Sequence, residues 1–174
     1  MISEVSALYD PLTGLAGRAL FHDRLDLAMA RARRNTCSAA LMLLDIDGFA
    51  AVNERHGHDA GDQLLRTVAS RLSVSLRATD TVGRLEVDRF GILLEDMLVV
   101  DNVTIVASKV LNQFADPFPI GGESLRVSAS LGVATYPQCA SKADALFGRA
   151  GVALRRAKAR PGNAYEIHPP EGGR

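Results

Sequence analysis

The chain has 174 residues, the length of a single domain, with 47% apolar and 23% charged side chains. Its 20 basic and 20 acidic side chains balance, and without a basic excess we exclude nucleic acid and anionic membranes as partners. The longest apolar run, residues 39–44, is far shorter than the roughly 20 residues of a membrane helix. Because no signal peptide is visible and two isolated cysteines exclude a zinc cluster, we expect a cytoplasmic protein.

Helices are predicted where apolar side chains recur every three or four residues, the spacing of one helix face. This spacing occurs in four segments, residues 21–32, 64–72, 103–114 and 146–157. The last of these helices is expected to stop at Pro161-Gly162, because proline and glycine end helices.

Strands are predicted between these helices. Residues 39–44 are apolar on both faces, as in a central strand, and residues 81–94 form two arms with a turn near Glu86-Val87-Asp88. Gly121-Gly122-Glu123 predicts the turn of a second hairpin. Its later arm, residues 125–133, alternates as a half-buried strand does, and residues 164–167 are predicted as an edge strand.

The predicted order is helix, strand, helix, hairpin, helix, hairpin, helix, strand. Strands that alternate with helices but include hairpins indicate an α/β fold in which helices pack on a mixed sheet. We expect one domain over residues 1–167. Residues 168–174, which are rich in Pro and Gly, are expected to form a linker or a disordered tail.

The first candidate site is Asp45-Ile46-Asp47, where the buried strand ends in two acids. Open sheets expose ligand sites at the ends of their strands, and Mg²⁺ prefers carboxylates together with substrate phosphates. Asp88, on the neighbouring hairpin, would supply a second carboxylate. The alternative for these residues is a strand-end turn capped by Asp.

The second candidate is His56-Gly57-His58-Asp59. Two histidines two residues apart do not share a helix face, and no third metal ligand is suitably spaced. We therefore predict a loop before a helix here rather than a zinc site.

The third candidate is Arg77-Ala78-Thr79-Asp80, at the end of a predicted helix. As a bare spacing, Arg and Asp three residues apart indicate an ordinary surface ion pair, which stabilises a fold by a fraction of a kcal/mol, ~0.5 kcal/mol.

Several spaced motifs together resemble the GGDEF domain of the diguanylate cyclase family, over residues 10–167. Asp10-Pro11-Leu12-Thr13-Gly14-Leu15, followed by Arg18, is similar to the opening signature of that family. The longest family motif is matched by Asp45-Ile46-Asp47-Gly48-Phe49, Asn53, Gly57-His58 and Gly61-Asp62. Later signatures are matched by Ser130-Leu131-Gly132-Val133-Ala134, Ala157-Lys158 and Asn163.

The resemblance implies a palm-like sandwich, of the nucleotidyl cyclase or ferredoxin-like type, around a central five-stranded mixed sheet. In the family, two domains that each hold GTP and Mg²⁺ meet face to face and join the nucleotides into cyclic di-GMP. Phosphoryl transfer of this kind needs mostly positioning and charge neutralisation. The implied roles are metal binding by Asp45, the Ile46 carbonyl and Asp88, guanine recognition by Asn53 and Asp62, and phosphate contact by Lys158.

The five-residue signature that names the family is replaced here by Glu86-Val87-Asp88-Arg89-Phe90. Glu86 and Val87 stand where glycines allow positive φ and close approach of a nucleotide, and Arg89 replaces an acid. Two further cations of the family are lost, because Ala50 and Gly162 occupy their positions. Two missing phosphate contacts, at roughly 1.5–3 kcal/mol each, predict nucleotide binding weakened about 10²- to 10⁴-fold.

We therefore expect no cyclase activity. Asp45 and Asp88 are interpreted as vestigial, with the turn closing the nucleotide cleft and Mg²⁺ bound weakly or not at all. The family's product-binding inhibitory motif is Arg-x-x-Asp, and Arg77 and Asp80 stand in its position before Glu86. A guanidinium and a carboxylate suit phosphate and guanine edges, which predicts a receptor for cyclic di-GMP. A functionless relic is the alternative.

Two other functions fit the same residues. Asp45 and Asp88 would support a weakly active diguanylate cyclase. Asn53 and Asp62 would support a module that binds GTP or dimerises, and that regulates an attached phosphodiesterase or sensor domain. Arg89 is expected to bridge to either Asp45 or Asp88, as a tethered substitute for the metal.

Overall fold

Five strands form a central mixed sheet in the computed structural model, which describes residues 8–172. The strands of the chain are β1 (Ser38–Ile46), β2 (Thr81–Arg84), β3 (Arg89–Met97), β4 (Phe118–Ile120), β5 (Glu123–Leu125), β6 (Ala129–Tyr136) and β7 (Ala164–Ile167). The central sheet has the order β2-β3-β1-β6-β7, in which β7 runs parallel to β6 and all other neighbours are antiparallel. Strands β4 and β5 form a separate hairpin.

Helices cover both faces of this sheet. They are α1 (Arg18–Asn35), α2 (Phe49–His56), α3 (His58–Ser75), α4 (Val103–Asn112) and α5 (Ala143–Lys158), and a 3₁₀ turn at Val100–Asn102 precedes α4. The expected α/β sandwich with a central five-stranded mixed sheet is thereby confirmed. Within residues 8–172, no helix has both the length and the apolar character that crossing a membrane requires.

Strand β1 is buried along all nine of its residues because helices cover both of its faces. Met42 and Leu44 pack in a core that includes side chains of α2, α3 and α4. Leu41 and Leu43 pack in a second core, with side chains of α1 and α5. Alternate side chains of a strand point to opposite faces, so such a strand needs an unbroken apolar run. The prediction of a central strand at residues 39–44 is confirmed.

Helix α5 packs closely on β6 because Gly132 has no side chain. A Cβ built on Gly132 would lie 2.2 Å from the Leu154 nitrogen and 2.3 Å from the Ala150 carbonyl oxygen. Neither backbone atom could move aside without displacing the helix. The glycine therefore holds α5 against the sheet and carries Lys158, at the end of α5, to the end of β1.

The single strand predicted over residues 125–133 is wrong. Strand β5 ends at Leu125, β6 begins at Ala129, and β6 is buried on both faces rather than half-buried. The break arises because the chain leaves the hairpin to reach β1, where the Ser128 carbonyl oxygen accepts a hydrogen bond from the Asp47 nitrogen at 2.9 Å. Along β6, helix α5 covers the face of the strand that the alternating sequence pattern predicted to be exposed to solvent.

The loop predicted around His56-Gly57-His58-Asp59 is also wrong. His56 ends α2 and His58 begins α3, so the segment joins two helices. Gly57 makes the junction with a φ of 87°, a conformation that side chains disfavour. Phe49 is the buried residue of α2, so no apolar stripe marks this helix in the sequence.

The C-terminal segment contacts the domain as far as it is described. The His168 nitrogen donates to the Val133 carbonyl at 2.8 Å, and the Glu171 nitrogen donates to the Gln138 carbonyl at 2.7 Å. These two hydrogen bonds hold the start of the expected tail beside the end of β6. Residues 1–7 of the expected domain and residues 173–174 of the expected tail lie outside the described residues.

Candidate functional site

Asp45 is a buried carboxylate at the end of β1, with a side chain that is 7% exposed. Arg89, the first residue of β3, lies opposite Asp45 in the β1–β3 pairing. Its Nε donates to Asp45 Oδ1 at 2.7 Å and its Nη2 donates to Oδ2 at 3.0 Å. Lys158 also contacts Asp45 Oδ2 through Nζ. Cationic side chains therefore occupy both carboxylate oxygens.

These contacts keep the Asp45–Arg89 pair ionised. Burial by itself raises the pKa of a carboxyl group, but hydrogen bonds and charges of Arg89 and Lys158 outweigh it and lower the pKa of Asp45. The hydrogen bond that Arg89 donates to Asp45 raises the pKa of Arg89 in turn, although burial opposes this shift. The sequence alone left Asp45 and Asp88 as possible partners of Arg89. In the structure, Arg89 donates its hydrogen bonds to Asp45.

The turn between β2 and β3 carries Glu86 and Val87, and its backbone suits their side chains. From the sequence, the bulk of this turn is expected to close the nucleotide cleft. Val87 is instead 63% exposed, so its side chain does not fill the cleft. Among the residues that the structure describes, Thr36 and Asp96 are the non-glycine residues with positive φ. The backbone at Glu86 and Val87 thus avoids the conformation that glycine would permit, as side chains with a Cβ require.

The negative charge of Glu86 is compensated by two nearby guanidinium groups. Its Oε1 lies 3.4 Å from Arg18 Nη1 and 3.8 Å from Arg89 Nη1. The repulsion that Glu86 would exert on a phosphate is therefore smaller than its charge alone predicts.

A cavity of about 550 Å³ opens beside the end of β1 and is partly lined by Ile46, Asp88 and Lys158. The Ile46 nitrogen donates to the Asp88 carbonyl at 3.2 Å, which holds Asp88 next to the strand end. The structure thus brings together the predicted metal-binding residues and the predicted phosphate-binding lysine. Ala50 and Gly162 line the same cavity, at the positions where the resemblance implies cations.

Two features of this cavity were missed by sequence reasoning. Arg160 lines the cavity, and its Nη2 lies 2.7 Å from Glu166 Oε1. Asp47 accepts hydrogen bonds from Ser128 Oγ at 2.6 Å and from Ser130 Oγ at 2.9 Å, which ties the end of β1 to the start of β6. The only sequence signal for the second feature was the position of Asp47 directly after the strand.

Asn53 and Asp62, the predicted guanine-binding residues, lie on α2 and α3 and do not line the 550 Å³ cavity. Asn53 packs against Gly61, where a built Cβ would lie 1.8 Å from Asn53 Oδ1. This oxygen is buried and has no hydrogen-bond partner. Asp62 follows Gly61 directly on α3 and is half-buried.

Arg77 and Asp80 form an ion pair in the turn that follows α3. Arg77 donates from Nη2 to Asp80 Oδ1 at 3.0 Å and from Nε to Oδ2 at 3.3 Å. Its Nη2 also donates to the Glu95 carbonyl at 2.9 Å. The hydrogen bond to Asp80 raises the pKa of Arg77 despite the opposing effect of burial. The Arg77 side chain is 59% exposed and covers a carboxylate that is 2% exposed.

A second cavity, of about 430 Å³, adjoins Arg77 and has a largely apolar wall. The wall includes Met97 at the end of β3, Leu98 and Val99 directly after it, and Ile105 of α4. Of these residues, Leu98, Val99 and Ile105 are exposed to solvent. An exposed guanidinium beside apolar side chains suits an anionic ligand that also carries flat rings.

The histidine pair makes no common site. His56 Nδ1 lies 3.6 Å from Glu123 Oε2 of the small hairpin, whereas His58 starts α3 and is exposed. Across residues 8–172, no three His, Cys, Asp or Glu side chains are grouped so that they could hold a metal ion.

Comparisons with known proteins agree with this architecture. The family model for the GGDEF domain of diguanylate cyclases matches residues 7–164. The bifunctional diguanylate cyclase/cyclic di-GMP phosphodiesterase MucR of Pseudomonas aeruginosa is 39% identical over 159 residues. That alignment covers 91% of this chain and 23% of MucR, so the chain spans about a quarter of the length of this relative.

Solved structures of similar sequence have the same fold. The GGDEF domain of TpbB from Pseudomonas aeruginosa has a TM-score of 0.89 at 31% identity, over 92% of this chain and 94% of that one. The GGDEF domain of DgcB from Caulobacter crescentus, solved in complex with c-di-GMP, has a TM-score of 0.84 at 26% identity, over 93% and 96%. Because the family match covers most of the sequence, the chain belongs to the GGDEF domain family of diguanylate cyclases.

Proposed function

We propose that this GGDEF domain is a receptor for cyclic di-GMP that has lost the ability to synthesise it. The observation that carries the proposal is the Arg77–Asp80 pair, in which an exposed guanidinium covers a buried carboxylate beside an apolar cavity. The pair stands in a turn outside the altered strand-end site, so its chemistry does not depend on that site.

The chemistry of the pair matches both parts of the dinucleotide. A guanidinium donates paired hydrogen bonds to phosphate or to the guanine edge, and a carboxylate accepts from guanine N–H groups. The exposed side chains of Leu98 and Val99 offer a surface on which a purine ring packs. The c-di-GMP complex of the DgcB domain, a member of the same family, supports this class of ligand.

Binding requires an exchange of partners at Asp80. Both of its carboxylate oxygens accept hydrogen bonds from the Arg77 guanidinium, so Arg77 must turn towards the ligand before guanine can reach Asp80. This exchange has a cost, because the Asp80 carboxylate is 2% exposed and loses its guanidinium partner until guanine N–H groups replace it.

The loss of synthesis follows from the charges around Asp45. Arg89 and Lys158 already neutralise this carboxylate, and the Lys158 charge is no longer free for a phosphate. Uncharged residues, Ala50 and Gly162, line the cavity where the family has cations. Phosphoryl transfer depends on charge neutralisation of the phosphates, which this cavity supplies poorly.

Calorimetric titration with cyclic di-GMP tests the receptor. We expect Arg77→Ala to weaken binding about 10- to 100-fold, because it removes charged hydrogen bonds worth roughly 1.5–3 kcal/mol. Arg31→Ala is the matched control, since Arg31 is similarly exposed and pairs with Glu95 at 3.3 Å outside the motif. No binding by the wild-type domain, or equal binding by both variants, would contradict the proposal.

Incubation with GTP and either Mg²⁺ or Mn²⁺ tests the loss of synthesis. We expect no cyclic di-GMP from the wild-type domain. Formation of product that Asp45→Asn abolishes would instead establish a weakly active cyclase, the alternative that Asp45 and Asp88 favour.

A GTP-binding regulatory module is a second candidate, favoured by the buried and unpartnered Asn53 Oδ1. A buried polar atom without a partner costs about 1–3 kcal/mol, which a guanine would offset by hydrogen bonding. Because MucR is about four times longer than this chain and is named as a phosphodiesterase too, an attached phosphodiesterase domain is the proposed target. Titration with GTP, with Asn53→Ala as the variant expected to lose binding, separates this candidate from the receptor.

A further inference from the structure

The metal implied by the family resemblance would be held by Asp45, the Ile46 carbonyl and Asp88. As the side chains stand, these residues do not fit a divalent cation. Asp45 Oδ1 accepts from Arg89 Nε, and Oδ2 accepts from Arg89 Nη2 and contacts Lys158 Nζ. A metal ion that uses either oxygen must first displace a guanidinium bound at two points.

We propose that Arg89 and Lys158 together substitute for the divalent cation at Asp45, and that Arg89 is the residue that excludes the metal. This inference deepens one half of the proposed function, the loss of synthesis. Under this inference, side chains of the domain permanently neutralise Asp45, and the site at the end of β1 is not simply a metal site of reduced affinity.

The position of Arg89 is built into the sheet and does not depend on a mobile loop. Arg89 begins β3 and pairs with Asp45 across the β1–β3 ladder. The nitrogen of Ile46, which follows Asp45, donates a hydrogen bond to the carbonyl of Asp88, which precedes Arg89. This bond fixes the backbone of both strands next to the pair. The guanidinium is therefore delivered to Asp45 by backbone pairing.

The charge of Asp45 is compensated without a metal. Its single negative charge is in contact with two positive groups, those of Arg89 and Lys158. Glu86 lies within 3.8 Å of Arg89, but it also lies 3.4 Å from Arg18, which offsets it. A divalent cation at Asp45 would lie next to the cationic groups of Arg89 and Lys158, and like charges at such short distances repel strongly.

Arg89→Glu should reverse this exclusion. The substitution removes the competing cation and places a third carboxylate near Asp45 and Asp88, the hard oxygen ligands that Mg²⁺ and Mn²⁺ prefer. Arg18→Glu is the matched control, because it changes the net charge by the same amount beside the same turn.

The experiment is an NMR titration of the full chain with Mn²⁺ alone, followed through the amide signals of Ile46 and Asp88. Paramagnetic Mn²⁺ broadens signals near its binding site. We expect no selective broadening in the wild type or in Arg18→Glu. In Arg89→Glu we expect selective broadening, at Mn²⁺ concentrations at least about tenfold below any that affect these two signals in the wild type.

Selective broadening in the wild type at micromolar Mn²⁺ would overturn the inference, and so would equal responses from Arg89→Glu and Arg18→Glu. The NMR spectrum also reports folding, and Arg89→Gln, which keeps a polar side chain of moderate size, replaces Arg89→Glu if the latter does not fold.

The two proposals fail separately, because this titration contains no nucleotide. Metal binding without cyclic di-GMP synthesis refutes the inference alone, whereas synthesis with Asp45 closed to Mn²⁺ refutes the proposed function alone.

Discussion

Arg84 holds the turn between β2 and β3 by donating twice to the Val87 carbonyl oxygen, from Nε at 3.0 Å and from Nη2 at 2.9 Å. Its third nitrogen, Nη1, lies 3.1 Å from Asp10 Oδ1, and both side chains of this ion pair are largely buried. One guanidinium therefore joins the N-terminal segment to the turn. The backbone of the turn is supported from within the domain, although glycine is absent from it.

Arg84→Met should loosen this turn and destabilise the domain. Four charged hydrogen bonds are lost, two to the Val87 carbonyl and two to Asp10, and we expect a loss of at least about 1.5–3 kcal/mol in the free energy of unfolding, measured in urea. Amide hydrogen exchange over residues 85–89 should also become faster. Arg18→Met is the control, because Arg18 contacts the same turn from the surface. We expect it to cost less than about 1 kcal/mol, and similar losses from both variants would contradict this account.

Asp45 and Arg89 should be strongly coupled in a double-mutant cycle. With Arg89→Met, Asp45→Asn and the double variant, we expect a coupling free energy of about 1–3 kcal/mol, because the carboxylate is buried. The equivalent cycle between Asp45 and Lys158 should give less than about 1 kcal/mol, since the Lys158 side chain is 44% exposed. A larger coupling to Lys158 than to Arg89 would show that the lysine is the principal counter-ion.

The domain should lose stability in acid partly through Asp45. The pKa of Asp45 is lowered in the folded state, against burial, by Arg89 and Lys158, so the unfolded chain takes up a proton at a higher pH than the folded one. The stabilisation is present above the ordinary carboxyl pKa, near ~4, and is lost as the pH falls through the lower folded value. Asp45→Asn should flatten the dependence of unfolding free energy on pH below about pH 5. An unchanged slope would contradict the assigned shift.

Gly132→Ala should be strongly destabilising because of the contact between β6 and α5. The added methyl group would meet backbone atoms at 2.2 and 2.3 Å, which cannot be relieved by a side-chain rotation. We expect a loss of about 3 kcal/mol or failure to fold. Gly148→Ala, on α5 itself and with no heavy atom within 4 Å of the built Cβ, is the matched control. It should raise the unfolding free energy by up to about 1 kcal/mol, because alanine favours helix.

The main strand and the main helices could be predicted because their signals are local. The apolar run at residues 39–44 marks a strand covered on both faces, and β1 has that burial throughout. Helix α2 gave no such signal, because Phe49 is its buried residue and eight residues are too few to establish a periodicity. The break between β5 and β6 depends on the contact of Ser128 with Asp47, which lies 81 positions away along the chain.

The residues of the candidate site could be predicted from the sequence, but the contacts between them could not. The position of Asp45 after a buried strand pointed to a carboxylate at a sheet end, where the structure places it. The partner of Arg89 was left open between Asp45 and Asp88, because the β1–β3 pairing that selects Asp45 is a long-range property. From the sequence, strain is expected at Val87 only on the assumption that the turn keeps the backbone conformation of a glycine turn. A turn can instead adopt another backbone conformation when its residues change.

The burial of β1 on both faces has a consequence for how the sheet assembles. Since residues 39–44 of β1 are all apolar, slippage by one residue would exchange one set of hydrophobic side chains for another at little cost in this part of the strand. The same slippage would turn the Asp45 carboxylate away from Arg89 and Lys158 and into hydrocarbon. Asp45 thereby fixes the register of β1 in the sheet, a structural role that is separate from any chemistry at the site.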